Sequence, residues 1–265
     1  MSGGNKILKW KARSSQGLVR SENQDSWSVN RFARRDGEEA WLAVVADGIG
    51  GREGGQIAST LAVQSVVEFF TRSSWNDGPV TLLTEAMNHA NASVFQAGSA
   101  DSSITGMGTT LTCVLVCQGE SRAFIGHVGD SRVYIASFEQ IRRVTDDHSV
   151  SGELLKRGAI TEEDAMNHPN RNVLTAALGT QASLEFSLYE ERLLPDDVIV
   201  LCTDGLTSLV SAEEIREMVL DCECEDVAGE LVNLANSRGG FDNVTVVLLW
   251  PEIRDSSHTT RGEAE

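Results

Sequence analysis

Apolar residues alternate with polar ones, or run together, in nine short stretches, a pattern typical of strands with one or both faces buried. These stretches predict strands at about 7–13, 26–33, 40–46, 108–118, 122–128, 131–136, 184–191, 197–202 and 243–250. Two longer stretches, at about 53–72 and 80–97, repeat their apolar residues with helical spacing instead. A helix pair is therefore predicted between two blocks of strands.

Two further helices are predicted near the end of the chain. Ser211 and Glu214 have the spacing of a capping box, which begins a helix that runs through Leu220. Another helix is predicted at about 225–236. Because the strands come in blocks with paired helices between and after them, the order favours an α+β fold of stacked antiparallel sheets flanked by helices.

Residues 145–180 differ from the regions around them because they lack a long apolar face. They predict short helices and loops. A long irregular segment inside a compact domain is more often a lid or a binding loop than an accident, although a surface insertion is the alternative. We therefore expect one domain over 7–250 that contains this lid-like segment, with flexible tails at 1–6 and 251–265.

The composition, 41% hydrophobic and 23% charged, is that of a globular protein. No apolar run approaches the roughly 20 residues of a membrane span, and the first residues lack the apolar core of a signal peptide. We therefore expect a cytoplasmic protein. The formal charge of −17 disfavours nucleic acid and anionic membranes as partners. Five cysteines are an odd number, so we expect no disulfides, and the isolated Cys222–Cys224 pair is expected to be structural.

The stretch VVADGIGGREGG, at residues 44–55, places Asp47 at the end of a buried strand and glycines after it. An ionised carboxylate in that position needs a cation beside it, from lysine, arginine or a metal ion. Known glycine-rich phosphate loops do not fit. A dinucleotide-binding loop needs glycine where Glu53 stands, and a P-loop needs lysine where Gln56 stands. The EF-hand and GxSxG patterns are also absent from the sequence.

An acid at the end of an apolar strand recurs three more times. Asp204 follows one strand, Asp130 lies in a turn between two strands, and Asp242 precedes the last strand. Each alone is explained as a turn or capping residue, but four such acids indicate a carboxylate cluster, which repels itself unless cations intervene. Oxygen ligands suit magnesium or manganese better than zinc. Gly48 has no side chain that would keep such an ion from its carbonyl.

Eight motifs lie in a fixed order along nearly the whole chain, from about Leu8 to Leu249. They are RSENQDSW, VVADGIGGREGG, GMGTTL, HVGDSRVY, DDHS, HPNRNVLTAALG, LCTDGL and FDNVTVVL. In content and order the sequence resembles the metal-dependent Ser/Thr protein phosphatases of the PPM, or type-2C, family, and within it the compact bacterial branch. The resemblance implies an α-β-β-α sandwich with the metal ions in a cleft at one edge of the two sheets.

The resemblance also implies two divalent ions, Mn²⁺ or Mg²⁺, and a set of ligands for them. Asp47 would bridge the two ions. The carbonyl of Gly48 would bind one ion, and Asp204 and Asp242 would bind the other. Asp25 would act through a water that it orients.

Other site residues follow from the same resemblance, with two departures from the family pattern. Asp130 would help to bind a third, weaker ion, and Arg20 would hold the phosphate oxygens. Gln24 stands where many eukaryotic members have an acidic ligand, which implies that water holds more of the second ion. Ile49 replaces a histidine proposed as general acid, so metal-bound water or another group would protonate the leaving group. His168, in the lid-like segment, is a candidate for this group and for contact with the substrate.

The implied reaction is hydrolysis of phosphoserine or phosphothreonine in proteins, by attack of a water that bridges the two ions. The phosphoproteins would be products of a cognate bacterial Ser/Thr kinase, and we expect a monomer. Two alternatives remain open. A phosphatase of small metabolites would share the metal site and differ in the lid. A catalytically silent, phosphatase-like binding module would be expected to have lost the acids, all of which are present.

Overall fold

The structure, a computed structural model, describes residues 6–34, 37–221 and 225–253. The strands are β1 (Lys6–Ser15), β2 (Asp25–Ala33), β3 (Glu39–Ile49), β4 (Gly108–Thr109), β5 (Leu111–Cys117), β6 (Arg122–Val128), β7 (Arg132–Ala136), β8 (Ile141–Arg143), β9 (Ser187–Arg192), β10 (Val198–Cys202) and β11 (Val244–Ile253). The helices are α1 (Gly51–Arg72), α2 (Pro79–Ala100), α3 (Val150–Lys156), α4 (Glu162–Met166), α5 (Asp204–Thr207), α6 (Ala212–Asp221) and α7 (Val227–Ser237).

The strands form two stacked antiparallel sheets. One sheet has the order β1-β11-β10-β7-β8. The other has the order β2-β3-β5-β6-β9, with β4 paired to β3. Helices α1 and α2 cover the outer face of the second sheet, and α5, α6 and α7 cover the outer face of the first. The predicted α-β-β-α sandwich is confirmed.

The packing of β3 explains why the residues before Asp47 form a continuous apolar run. Leu42 and Val44 of β3 pack in the core shared with α1 and α2. Ala43 and Val45, which point the other way, pack in the core between the two sheets. Both faces of β3 are therefore buried, which removes the polar half of the usual alternation.

Most of the predicted elements are confirmed, and the differences lie in short segments. The strand predicted at 108–118 is interrupted at Thr110, which separates β4 from β5. The three-residue strand β8 and the four-residue helix α5 were not predicted, because elements this short do not repeat a hydrophobic pattern often enough to be recognised. The last strand continues to Ile253, beyond the predicted end at 250.

The predicted start of α6 and the short helices predicted within residues 145–180 are also confirmed. The Ser211 N–H donates to the Glu214 carboxylate at 3.0 Å, and the Glu214 N–H donates to the Ser211 hydroxyl at 3.4 Å, so the capping box begins α6. Between 145 and 180 the structure has the short helices α3 and α4 joined by loops.

The cysteine and membrane expectations can be assessed for the described residues. Cys113, Cys117 and Cys202 are buried, whereas Cys222 and Cys224 lie outside the described residues. Residues 1–5 and 254–265 of the predicted tails lie outside them as well. In the part of the chain that the structure covers, no helix combines the length and hydropathy of a membrane span.

His127, on β6, is a fully buried titratable residue of the second sheet. Its Nε2 faces the Asp146 carbonyl at 3.1 Å and therefore carries the proton, so Nδ1 accepts from the Thr112 hydroxyl at 2.9 Å. Burial lowers the pKa of His127 to about 3, and the nearby His148 ring lowers this pKa too, whereas the Asp147 charge opposes the shift. The folded protein therefore keeps His127 neutral.

This burial predicts an acid-sensitive contribution to stability. The pKa of His127 is 6.5 when unperturbed and about 3 when folded, so below pH 6.5 the unfolded chain binds the extra proton. Stability is then lost as the pH falls, by about 2 kcal/mol between pH 7 and pH 5. Urea unfolding at both pH values should show that His127→Gln lacks this loss. The exposed His89→Gln should keep it, and an identical pH dependence in all three proteins would contradict the assignment.

Candidate metal centre

Asp47 lies near the end of β3, directly opposite Asp25 of the paired strand β2. The Asp47 N–H donates to the Thr110 hydroxyl at 2.8 Å, and the Asp47 carbonyl accepts from the Thr110 N–H at 2.8 Å. Both backbone groups are satisfied by the segment between β4 and β5. The carboxylate is therefore held by a fixed backbone at the surface of a cleft.

Asp25 joins the two sheets at this edge. Its Oδ2 accepts hydrogen bonds from the hydroxyls of Thr203 at 2.9 Å and Thr245 at 2.6 Å, both in the opposite sheet region. Its Oδ1 is buried and has no hydrogen-bond partner, and the same is true of Oδ1 of Asp204, the first residue of α5. Buried oxygens without partners are unfavourable unless a donor or a cation reaches them.

Four of the five aspartates predicted from the sequence line one cleft of about 420 Å³. It is lined by Arg20, Ser21, Glu22, Gln24, Asp47, Gly48, Ile49, Gly50, Thr110, Asp130, Asn172, Leu174, Asp204, Asp242 and Asn243. A larger groove of about 710 Å³ lies beside it, between β2 and α1, and Asp25 lines that groove. The smaller cleft is the candidate site because four aspartates from separate elements line it.

These carboxylates raise one another's pKa values. Burial raises the pKa of Asp25 to about 7 and the pKa of Asp204 to about 6, and in both cases neighbouring aspartates add to the shift. Burial, followed by repulsion from the other acids, raises the pKa of Asp47 and of Asp130 well above the usual range. Arg132 and Arg20 lower the pKa of Asp204 but do not offset the shift, so the cluster has an excess of negative charge that a divalent cation would balance.

The donor set fits hard divalent cations, although the side chains do not form a finished coordination shell. Among the residues that the structure describes, no three histidine, cysteine, aspartate or glutamate side chains already surround a common point. The shared cleft, the mutual repulsion and the unpartnered oxygens of Asp25 and Asp204 are the observations that fit a cation. All available donors are oxygens, which is the chemistry of magnesium and manganese sites.

Gly48 and Gly55 bring the end of β3 and the first turn of α1 into backbone contact. A Cβ on Gly48 would lie 2.0 Å from the Gly55 carbonyl oxygen, and a Cβ on Gly55 would lie 2.8 Å from the Gly48 carbonyl oxygen. Neither position can hold a side chain without displacing backbone. The glycines after Asp47 therefore allow the close approach of the helix.

Arg20 contacts the acidic cluster from the loop before β2. Its Nη2 donates to Asp242 Oδ2 at 2.6 Å, and its side chain remains more than half exposed. The hydrogen bond with Asp242 raises the pKa of the guanidinium, which stays charged. Arg20 is thus a cation at the rim of the cleft that can reach an anion placed among the aspartates.

Asn243 is a site residue that was not predicted from the sequence. Its Nδ2 donates to the carbonyls of Gln16 at 2.9 Å and Glu22 at 2.8 Å, while its Oδ1 accepts from the Gln24 N–H at 2.8 Å. Asn243 therefore fixes the loop that carries Arg20 against the residue next to Asp242. The Asp-Asn pair before the last strand was the available signal.

Asp130 lines the same cleft from the turn between β6 and β7. Gly129 before it has a positive φ of 107°, and a Cβ there would lie 2.5 Å from the Thr110 side chain. Ser131 after it shares a 2.8 Å hydroxyl hydrogen bond with Thr110. The Asp130 turn is thus packed against the segment that also fixes Asp47.

The lid-like segment reaches the cleft through residues other than the predicted histidine. Asn172 and Leu174 line the cleft, whereas His168 does not belong to its lining. The His168 Nδ1 accepts from the Asn170 N–H at 3.1 Å, within its own loop. Ile49 is partly exposed at the rim. The role of His168 in substrate contact stays a prediction.

Comparison with known proteins gives a consistent set of relatives. Residues 15–234 match the family model of Protein phosphatase 2C. The chain is 34% identical to the Serine/threonine phosphatase stp of Listeria monocytogenes over 253 residues, which covers 92% of this chain and 98% of the relative.

Solved structures show the same similarity. The serine/threonine phosphatase Stp1 from Staphylococcus aureus superposes with a TM-score of 0.85 at 30% identity, covering 95% of this chain and 98% of that one. The catalytic domain of the serine/threonine protein phosphatase PstP, in complex with two manganese ions, superposes with a TM-score of 0.79 at 32% identity. The superposition covers 93% of this chain and 99% of that one.

The crowded carboxylates predict opposite effects of one substitution with and without metal. Asp47→Asn removes a carboxyl group whose ionisation is opposed by burial and by its neighbours, so we expect the metal-free free energy of unfolding to rise by about 1 kcal/mol. Manganese at 100 times its dissociation constant should stabilise the wild type by about 2.7 kcal/mol and the variant far less. Urea unfolding with and without Mn²⁺ measures both. The exposed Asp196→Asn is the matched control, and an unchanged manganese effect in Asp47→Asn would contradict the assignment.

Proposed function

The chain belongs to the protein phosphatase 2C family, and we propose that its acidic cleft is where it hydrolyses phosphoserine and phosphothreonine in proteins. It is a metal-dependent Ser/Thr protein phosphatase that uses Mn²⁺ or Mg²⁺. The observation that carries the location of the site is the convergence of Asp47, Asp130, Asp204 and Asp242 on one cleft whose electrostatics call for cations.

Four residues would hold two divalent cations: Asp47 between them, the Gly48 carbonyl on one, and Asp204 and Asp242 on the other. Asp130 would contribute to a third, weaker site. Bound in this way, the cations supply charge against the phosphate and a water acidic enough to attack phosphorus near neutral pH. The protein contributes a backbone that keeps the carboxylates in place despite their repulsion.

Asp25 is suited to orient the attacking water. Two threonine hydroxyls fix its Oδ2, so the direction of the remaining oxygen is set by the two sheets. That oxygen, Oδ1, has no partner within the protein. It can accept a hydrogen bond from a water near Asp47 and so align a lone pair of that water with the phosphorus atom.

Arg20 is suited to bind the non-bridging oxygens of the phosphate. Its guanidinium already pairs with a carboxylate oxygen, which has similar hydrogen-bond geometry to a phosphate oxygen. With Asp242 engaged by a cation, the attraction between Asp242 and Arg20 would weaken, and the guanidinium would be available to the substrate. Arg20 would thus stabilise charge on phosphate during in-line displacement.

The leaving group needs a proton, and Ile49 cannot supply one. Among the described residues that line the cleft there is no histidine, so solvent in the cleft is the proposed proton source. The lid-like segment would contact the substrate around the phosphorylated residue, a role supported by the position of Asn172 and Leu174 in the cleft lining.

The proposal also covers the kinase, the cellular compartment and the oligomeric state. The substrates would be phosphorylated by a cognate Ser/Thr kinase, and the enzyme would act as a cytoplasmic monomer. The net charge of −17 supports protein substrates over nucleic acid or anionic membranes.

The proposed function is tested by metal-dependent hydrolysis of a phosphothreonine peptide, with a panel of phosphorylated metabolites measured in parallel. We expect no peptide hydrolysis in excess chelator and full recovery with Mn²⁺, because every proposed ligand is an oxygen. Asp242→Asn should lose nearly all turnover while staying folded by circular dichroism. Full activity in chelator, or activity confined to metabolites, would contradict the proposal.

Substitution of Arg20 separates substrate binding from metal binding. Arg20→Ala should lower kcat/KM on both the phosphopeptide and p-nitrophenyl phosphate by about 10- to 100-fold, since a charge-assisted contact to phosphate is lost. Manganese affinity by calorimetry should be retained. Arg13→Ala, which removes another exposed arginine paired with an aspartate, is the matched control. An unchanged kcat/KM would place Arg20 outside the reaction.

A further inference from the structure

The first residues of the lid-like segment are attached to the turn that carries Asp130. The His148 N–H donates to the Gly129 carbonyl at 2.7 Å, and the Gly129 N–H donates to His148 Nδ1 at 3.2 Å. One residue of the segment thus satisfies both backbone groups of the residue directly before Asp130. Reciprocal bonds of this kind fix position and orientation together.

The His148 ring can make this contact in one tautomer. Because Nδ1 accepts from an N–H, it carries no proton, and Nε2 carries it and donates to the Ser187 hydroxyl at 3.0 Å. Burial lowers the pKa of His148, and Lys156 lowers this pKa further, whereas Glu153, Asp147 and Asp146 act in the opposite direction. The neutral ring is therefore held between strand β9 and the Asp130 turn.

A second attachment lies on the other side of Asp130. Arg132 donates from Nε to Asp147 Oδ1 at 2.9 Å and from Nη2 to Asp147 Oδ2 at 2.7 Å, a two-bond ion pair with both side chains largely buried. Asp147 directly precedes His148 in the chain. Gly129, directly before Asp130, and Arg132, two residues after it, are therefore tied to the consecutive residues His148 and Asp147 of the segment.

The turn is also tied to the end of β3. Thr110 accepts from the Asp47 N–H through the same hydroxyl that bonds with Ser131. A displacement of the Asp130 turn would thus be felt at Thr110 and at the backbone of Asp47. The contacts form a continuous path from the lid-like segment, through Gly129, to the acidic cleft.

We propose that His148 is a positioning residue that holds the Asp130 carboxylate in the cleft and so couples the lid-like segment to the weaker cation site. The effect of this coupling on the reaction rests on the proposed function of the cleft. The coupling itself is a property of the contacts between His148 and Gly129. The decisive group is the Nδ1 acceptor rather than the bulk of the ring.

Two substitutions separate these contributions, because asparagine and glutamine each keep one polar end of the histidine. His148→Asn places an amide oxygen near the position of Nδ1 and can still accept from the Gly129 N–H. His148→Gln places its polar group near the position of Nε2 and can reach Ser187 instead. A merely structural role would make the two variants similar, with His89→Asn as an exposed control.

Calorimetry with Mn²⁺ is the first readout. In His148→Gln we expect the weak isotherm to lose about five- to tenfold in affinity, the equivalent of one hydrogen bond, while the tight isotherm is kept. His148→Asn should restore the weak isotherm to within about twofold or threefold of the wild type. Equal effects of the two variants, or no effect of His148→Gln, would overturn the proposal.

NMR supplies a second readout that does not depend on catalysis or on metal. In the metal-free wild type, the ¹⁵N shifts of His148 should show a protonated Nε2 and an unprotonated, hydrogen-bonded Nδ1. The Gly129 amide should exchange faster with solvent in His148→Gln than in His148→Asn. A protonated Nδ1, or a Gly129 amide that is equally protected in both variants, would overturn the positioning role even in an active enzyme. If the wild type neither hydrolyses phosphopeptides nor binds Mn²⁺, the proposed function fails separately, and the Gly129 amide still decides the coupling.

Discussion

The central constraint on this molecule is a group of carboxylates buried together at the junction of two sheets. Burial and mutual repulsion raise the pKa of Asp25 to about 7 and of Asp204 to about 6, so the metal-free cleft resists the charges that its function needs. Such an arrangement is stable because the two sheets bury large apolar cores on each side of it. Cations bound among these carboxylates would convert the repulsion into binding energy, which would tie activity to metal.

The fold places the acids on rigid elements instead of leaving them on loops alone. Asp47 and Asp25 lie on paired strands, and Asp25 is bonded by threonines from the other sheet, so sliding of one sheet past the other would disturb the cleft. The backbone contact between Gly48 and Gly55 brings α1 onto the end of β3. The loop that carries Arg20 lies outside the helices and strands and is held in position by hydrogen bonds from Asn243.

The sequence predicted the fold and the acidic residues of the cleft because both leave strong local signals. Strands buried on both faces and long amphipathic helices have recognisable periods, and acids at strand ends stand out against apolar runs. The role of Asn243 and the contacts of His148 were not predictable, because each depends on residues far away in the chain that only the folded structure brings together. The placement of His168 outside the cleft lining has the same origin, since no periodic pattern sets the path of residues 145–180.

The central claim is that the cleft between Asp47, Asp204 and Asp242 binds the divalent cations on which hydrolysis depends. Anomalous diffraction from crystals of the full chain soaked in Mn²⁺ tests this claim most directly. The account predicts two strong manganese peaks in the cleft, both in contact with Asp47, and a weaker third peak beside Asp130. Strong peaks elsewhere on the protein, with none beside Asp47 in an enzyme that manganese activates, would contradict it.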